Sequence, residues 1–160
     1  MSNAIFKLDP PVNEPTLSYA PNSPERDTIA ERLAALRADT IEIPLIIGGQ
    51  EIRTGRMAKC RVPHDHGHLL ATYHKAGPEE IRRAIQASQE AHKEWAAWPW
   101  EDRAAVFLKA GELLATSWRS TVNAGTMLGQ SKTAHQAEID PAAELVDFFR
   151  FNCHFAQELY

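Results

Sequence analysis

The sequence predicts an α+β fold in which an extended amino-terminal arm and a helix lead into a small β-hairpin and strand region, followed by a helical bundle. Three observations predict it. Pro10, Pro11, Pro15 and Pro21 crowd residues 1–22, fixing φ and removing donors. Residues 41–75 carry short apolar runs broken by Gly48-Gly49 and a His-rich stretch. From residue 77 onward, apolar residues recur at helical spacing. The expected organisation is therefore an arm at 1–22 and a hairpin and helical segment at 23–160.

Each element has a local cause. Ser23-Pro24-Glu25 reads as an N-cap, a proline at the first helical position and a first-turn acid. Ile29, Leu33 and Leu36 extend that helix over about 24–38. Ile41 to Ile47, Gly48-Gly49, then Gln50 to Thr54 reads as strand, two-residue turn, strand, with Pro44 keeping the first strand at a sheet edge. Two more extended segments are expected near 59–62 and 69–75, with a His-rich loop at 63–68 between them. Gly77-Pro78-Glu79-Glu80 opens a helix striped by Ile81, Ala84, Ile85, Ser88 and Trp95. Trp98-Pro99 ends it and begins another, striped by Ala104, Phe107, Leu108, Gly111, Leu114 and Trp118. Val106, Ala110 and Leu113 fall off that stripe, so burial on more than one side is expected. A third, short helix runs to Gly129 as its C′ residue, and a last one covers about 141–160. That helix ends in mid-pattern at Tyr160, as expected of a cut chain or one built to dock.

Composition narrows the function. The 160 residues are 44% hydrophobic with a formal net charge of −4, which suits a globular chain. No cationic excess exists to release counterions, so no nucleic-acid partner is expected. No apolar run nears the roughly 18 residues of a membrane span. Cys60 and Cys153 form no CxxC pair. The opening MSNAIFKLDPPVNEP matches neither a secretory signal nor an Arg-rich presequence.

Four groups of residues suggest chemistry. His64, His66 and His68 could share one face of an extended chain and converge on a metal, although a polar turn is the ordinary reading. Gly125 to Thr133 superficially resembles a phosphate loop, but the spacing of its glycines and lysine is wrong. Cys153 and His154 are neighbours on a helix, about 100° apart, and cannot pair as nucleophile and base. Among Glu138, Asp140, Glu144 and Asp147, Glu144 stands out because Phe148 and Phe151 follow at i+4 and i+7. It reads either as a half-exposed acid at an apolar boundary or as an anchor for an ammonium or imine nitrogen. Asp147 and Arg150, at i+3, are expected to form a surface pair.

A series of phrases then points to a family. They are Asn13-Glu14-Pro15, Asn22 to Arg26, His66-Gly67-His68, Lys93-Glu94-Trp95, Asp102-Arg103-Ala104 and Phe107 to Ala110, followed by Met127 to Gln130, Gln136 to Asp140 and Glu144 to Asn152. Together they resemble the amino-terminal region of the L-glutamate γ-semialdehyde (Δ1-pyrroline-5-carboxylate) dehydrogenases, within the aldehyde dehydrogenase superfamily. The resemblance covers nearly the whole chain after the first dozen residues. It implies part of an aldehyde dehydrogenase fold without its Rossmann-like core, so that 23–160 would be an incomplete domain.

The resemblance also implies an activity in proline catabolism. A cysteine thiolate attacks the aldehyde, hydride passes to NAD, and a glutamate-activated water releases L-glutamate. Neither Cys60 nor Cys153 lies in a sequence like that around the family's nucleophile. This chain alone is therefore expected to lack catalytic and NAD-binding residues and to be inactive. Its partners would be the small-molecule substrate and the rest of the dehydrogenase, or a homologous subunit. Its compartment would be the mitochondrial matrix in a eukaryote and the cytoplasm otherwise. Glu144 matches the family's glutamate near the substrate's amino group and is the one site residue carried over. Pro141 is expected to interrupt the helix and make Asp140 an N-cap. The alternative is a naturally short, non-catalytic protein that docks on a full-length subunit.

Overall fold

The computed structural model describes residues 6–160; the first five residues of the expected arm lie outside them. Residues 6–20 form no helix or strand and run along the helices. Helix α1 spans Pro24–Ala38. Ser23 holds the N-cap position with extended backbone, but its side chain makes no capping bond.

The strand region departs from a plain hairpin. β1 (Ile41–Ile43) and β2 (Leu45–Ile47) are separate strands in different sheets, because Pro44 has no N–H to continue a ladder. β2 pairs antiparallel with β3 (Gln50–Ile52) across Gly48 and Gly49, whose φ values of 58° and 76° suit a type I′ turn. β4 (Met57–Val62) and β5 (Asp65–His74) pair antiparallel, and β1 lies parallel on the edge of β5, as Pro44 suggested. The expected loop at 63–68 is corrected here. Pro63 and His64 alone make the turn, and His66-Gly67-His68 bulges within β5. Arg61 closes that bulge by donating to the His66 carbonyl at 2.9 Å.

The helices follow the expected order with four corrections. α2 (Pro78–Ala97) opens where the Glu80 carboxylate accepts the Gly77 N–H at 2.7 Å. α3 (Trp100–Ala115) buries Ala104, Gly111 and Leu114, yet Val106 and Leu113 on its other side are exposed. The chain thus covers one side of a helix that is apolar on more than one. α4 (Arg119–Gln130) runs through Gly129 and ends at Ser131, which adopts the left-handed φ of 57°. Next, Thr133 and Gln136 form a reciprocal cap that opens the short α5 (Ala134–Ala137), which the spacing alone did not suggest. The chain continues without a break through a π-helical segment, Glu138–Glu144, into α6 (Leu145–Gln157). Pro141 sits inside that segment, and Asp140 pairs with Lys132 instead of capping a helix. The wider winding takes in a ring that would break an α-turn.

α3 and α6 pack where Gly111 admits the Phe149 side chain. Val146, Ala142, Ala143 and Cys153 are buried along the π segment and α6, and Ala124 and Leu128 are buried on α4.

Candidate functional site

Residues 6–20 of the expected arm form no helix or strand, so their backbone N–H groups and side chains are free to bond the helices. Asp147 accepts from the Asn13 side chain and from the Glu14 N–H, each at 2.7 Å. Arg150 donates to Glu14 at 2.7 Å, so the expected Asp147–Arg150 pair is replaced by contacts of both residues with the arm. Arg119, at the start of α4, donates to the other Glu14 oxygen at 2.5 Å and to the Pro15 carbonyl at 2.7 Å.

These contacts converge on Glu138, the first residue of the π segment, whose exposure is 0%. One of its oxygens accepts from the Leu17 N–H at 2.7 Å and from Arg119. The other accepts from the Tyr19 hydroxyl at 2.7 Å, from Asn123 at 2.9 Å and from Arg119 Nε at 3.3 Å. Burial by itself would raise the Glu138 pKa, but the Arg119 guanidinium, the Leu17 N–H and the Tyr19 hydroxyl outweigh it and hold the carboxyl below its usual range. Tyr19 is pushed up to about 12, first by burial and then by its bond to the Glu138 carboxylate. Glu138 is thus an ionised acceptor with its lone pairs taken by protein donors. It ties arm, α4 and π segment together and is not available as an acid or base.

Glu144 closes the same segment. It is exposed, and Phe148, 58% exposed, follows one turn later on the same side. No hydrogen bond or ion pair engages its carboxylate among the described residues. Ala142, Ala143 and Val146 around it are buried, so the backbone that carries Glu144 is fixed while its side chain is open.

A second feature is a cleft of about 440 Å³ between α3 and α6, lined by Trp95, Trp100, Arg103, Phe107, Phe148 and Tyr160 among others. Arg103 donates to the Tyr160 hydroxyl at 2.7 Å and Trp100 stacks on the Tyr160 ring. Glu144 is not part of its lining. The aromatic spacing of α3 and α6 was the available signal for this cleft, and only their packing joins the two faces.

The remaining candidates are scattered. His64 lies against Ser131 at 2.8 Å, while His66 and His68 occupy the β5 bulge. Among the described residues, no three His, Cys, Asp or Glu side chains group as a metal site. The buried Cys153 thiol points at the Ala104 carbonyl at 3.6 Å, and burial raises its pKa, which disfavours the reactive thiolate. Cys60 is half-buried in β4.

Comparison with known proteins agrees with this architecture. The chain is 48% identical over 158 residues to a Δ1-pyrroline-5-carboxylate dehydrogenase of Agaricus bisporus, and 49% over 157 residues to the mitochondrial enzyme of that name from Dictyostelium discoideum. Each match covers 98% of this chain but 29% and 28% of the relative, so the chain spans less than a third of their length. Among solved structures, it superposes on the Δ-pyrroline-5-carboxylate dehydrogenase of Mycobacterium tuberculosis, bound with NAD and cobalamin. The TM-score is 0.97 at 43% identity, over 99% of this chain and 30% of that one. The 1-pyrroline-5-carboxylate dehydrogenase of Thermus thermophilus gives 0.86 at 29% identity, over 94% of this chain and 29% of that one. Residues 52–160 match the aldehyde dehydrogenase family, and the chain belongs to it.

Proposed function

We propose that this chain is the amino-terminal segment of an NAD-dependent dehydrogenase that oxidises L-glutamate γ-semialdehyde, from pyrroline-5-carboxylate, to L-glutamate, and that alone it is inactive. Residues 1–22 serve as an arm, and 23–160 form an incomplete domain of the larger fold. The observation that carries this reading is the superposition of 99% of the chain, at 43% identity, on an enzyme named for that substrate. Overall, aldehyde, water and NAD⁺ give carboxylate, NADH and two protons, with NAD as hydride acceptor.

Two features bear on where the dinucleotide is held. β1 and β5 run parallel but are connected through β2, β3 and β4 instead of a crossover helix, and Gly125 and Gly129 lie within α4. That supports a nucleotide site formed by other parts of the enzyme. The environment of Cys153 supports the same for the nucleophile. This segment's contribution to the reaction is Glu144, whose exposed carboxylate beside Phe148 suits the ammonium of the open semialdehyde. The relatives named mitochondrial support a matrix location in a eukaryotic source, with the cytoplasm as the alternative elsewhere.

A chimera tests the assignment. Residues 1–160 replace the matching segment of the Mycobacterium tuberculosis enzyme, and NADH formation on pyrroline-5-carboxylate is followed by absorbance. The chimera is expected to turn over and the 160-residue chain to give nothing. NADH production by the short chain, or a folded chimera without activity, contradicts the reading. The exposed Phe148 and Phe155 favour a second reading, a non-catalytic chain docked on a full-length subunit. Under it, the short chain co-purifies with an intact dehydrogenase.

A further inference from the structure

Glu138 and Glu144 are the two ends of one seven-residue π-helical segment. The first is locked and the second is free. Glu138 is fully buried and held by Leu17, Tyr19, Arg119 and Asn123, whereas Glu144 is exposed and without a protein partner among the described residues. Between them, Asp140 is tied outward to Lys132, and Pro141 contributes no N–H to the local ladder.

The winding of this stretch decides where Glu144 points. Each α-helical residue turns the chain by about 100°, and π winding turns it less, so over six residues the two windings aim Glu144 in clearly different directions. Pro141 disfavours the α alternative, but a proline alone does not fix the starting phase. Glu138 does, because its carboxylate can meet five donors from the arm and α4 in only one rotation of the helix. Short π segments recur at functional sites, where they re-aim a side chain.

We propose that Glu138 is a positioning residue for Glu144: by anchoring the start of the π segment to the arm and α4, it sets the direction of Glu144 and with it the preference for an amino-bearing aldehyde. This rests on the role given to Glu144 above. Glu138 touches no substrate; it acts through the backbone it anchors. The arm becomes part of the specificity apparatus, since Leu17 and Tyr19 supply two of the donors.

The test uses the chimeric enzyme and two substrates, pyrroline-5-carboxylate and hexanal, which lacks the amino and carboxylate groups. The readout is the ratio of their kcat/KM values. Glu144→Gln is expected to lower that ratio about tenfold, through the KM for pyrroline-5-carboxylate. Glu138→Gln is expected to lower it by about as much, with the hexanal parameters and the KM for NAD held within about twofold. Tyr19→Phe removes one donor, leaves the Arg119 pair in place and is expected to lower the ratio about threefold. If Glu138→Gln does not fold, Tyr19→Phe decides. If Glu144→Gln moves the ratio while the Glu138 and Tyr19 variants leave it alone, or slow both substrates equally, the positioning role is overturned and the Glu144 assignment stands. If Glu144→Gln leaves the ratio unchanged, the Glu144 assignment itself fails and the positioning role goes with it.

Discussion

Glu138 and Arg119 show how a buried charge can be tolerated. Each costs free energy to remove from water, and each is met by several hydrogen bonds besides the other. Glu138→Gln leaves Arg119 its bonds to Glu14 and the Pro15 carbonyl but takes away the charged acceptor of the other donors, so it is expected to cost about 1–3 kcal/mol by denaturant unfolding. The pH dependence has a definite sign. The folded pKa of Glu138 lies below its ordinary value of 4.5, so unfolding in acid takes up a proton. Its stabilisation is complete above that value and is lost as the pH falls through the lower folded value. Wild-type Tm should therefore drop across this acid range, and Glu138→Gln should flatten the drop. Glu42, Asp65 and Glu80 are also held low, each first by hydrogen bonding, so some slope remains. Glu42 and Asp65 are surface groups whose share shrinks in about 1 M salt, while Glu80, largely covered and held by the Gly77 N–H, keeps its share in wild type and variant alike, so the difference between the two reads the Glu138 contribution.

At the scale of elements, α3 and α6 pack against each other at Gly111. A Cβ built there would meet the Phe149 Cβ at 3.5 Å, ordinary van der Waals contact. The helix-propensity gain then decides the sign, and Gly111→Ala is expected to stabilise the chain by up to about 1 kcal/mol in thermal or urea unfolding. A loss of stability would show that the packing around Phe149 leaves no room for the added methyl. Much of the element order was legible because its signals are local. Ser23-Pro24, Gly48-Gly49 and Gly77-Pro78 act on their own backbone, and apolar stripes repeat within one helix. The π segment was not legible. Pro141 announces a break in an α-helix, and the alternative of wide winding is selected by the clamp on Glu138, whose donors lie 15 to 121 residues away. The Thr133–Gln136 cap was present in the sequence and is the one local signal that the helical spacing overshadowed.

For the molecule as a whole, the dominant feature is apolar surface left open. The 440 Å³ cleft, the outer side of α3 and the exposed Phe148 and Phe155 together form surface of the kind usually covered by protein. In water, the isolated chain is expected to bind a fluorescent apolar-surface dye, and a Phe148→Ser/Phe155→Ser double variant should lower that signal by at least about half. Unchanged dye binding would locate the accessible apolar surface elsewhere, with α2 and its exposed Ile81 and Ile85 the next place to test.

By itself the sequence determined the α+β class, the order of the main elements and the family, because periodicity, caps, turns and short phrases are all written locally along the chain. It also singled out Glu144 among the acids, from the aromatic residues that follow it. Tertiary structure alone decided that the arm is strapped to the helices, that Glu138 is the buried acid and Glu144 the exposed one, and that α3 and α6 enclose an aromatic cleft. The physical reason is common to all three. A carboxylate's burial and the cost it carries depend on donors brought to it from distant parts of the chain, and a cleft is a property of two surfaces that no single stretch of sequence contains.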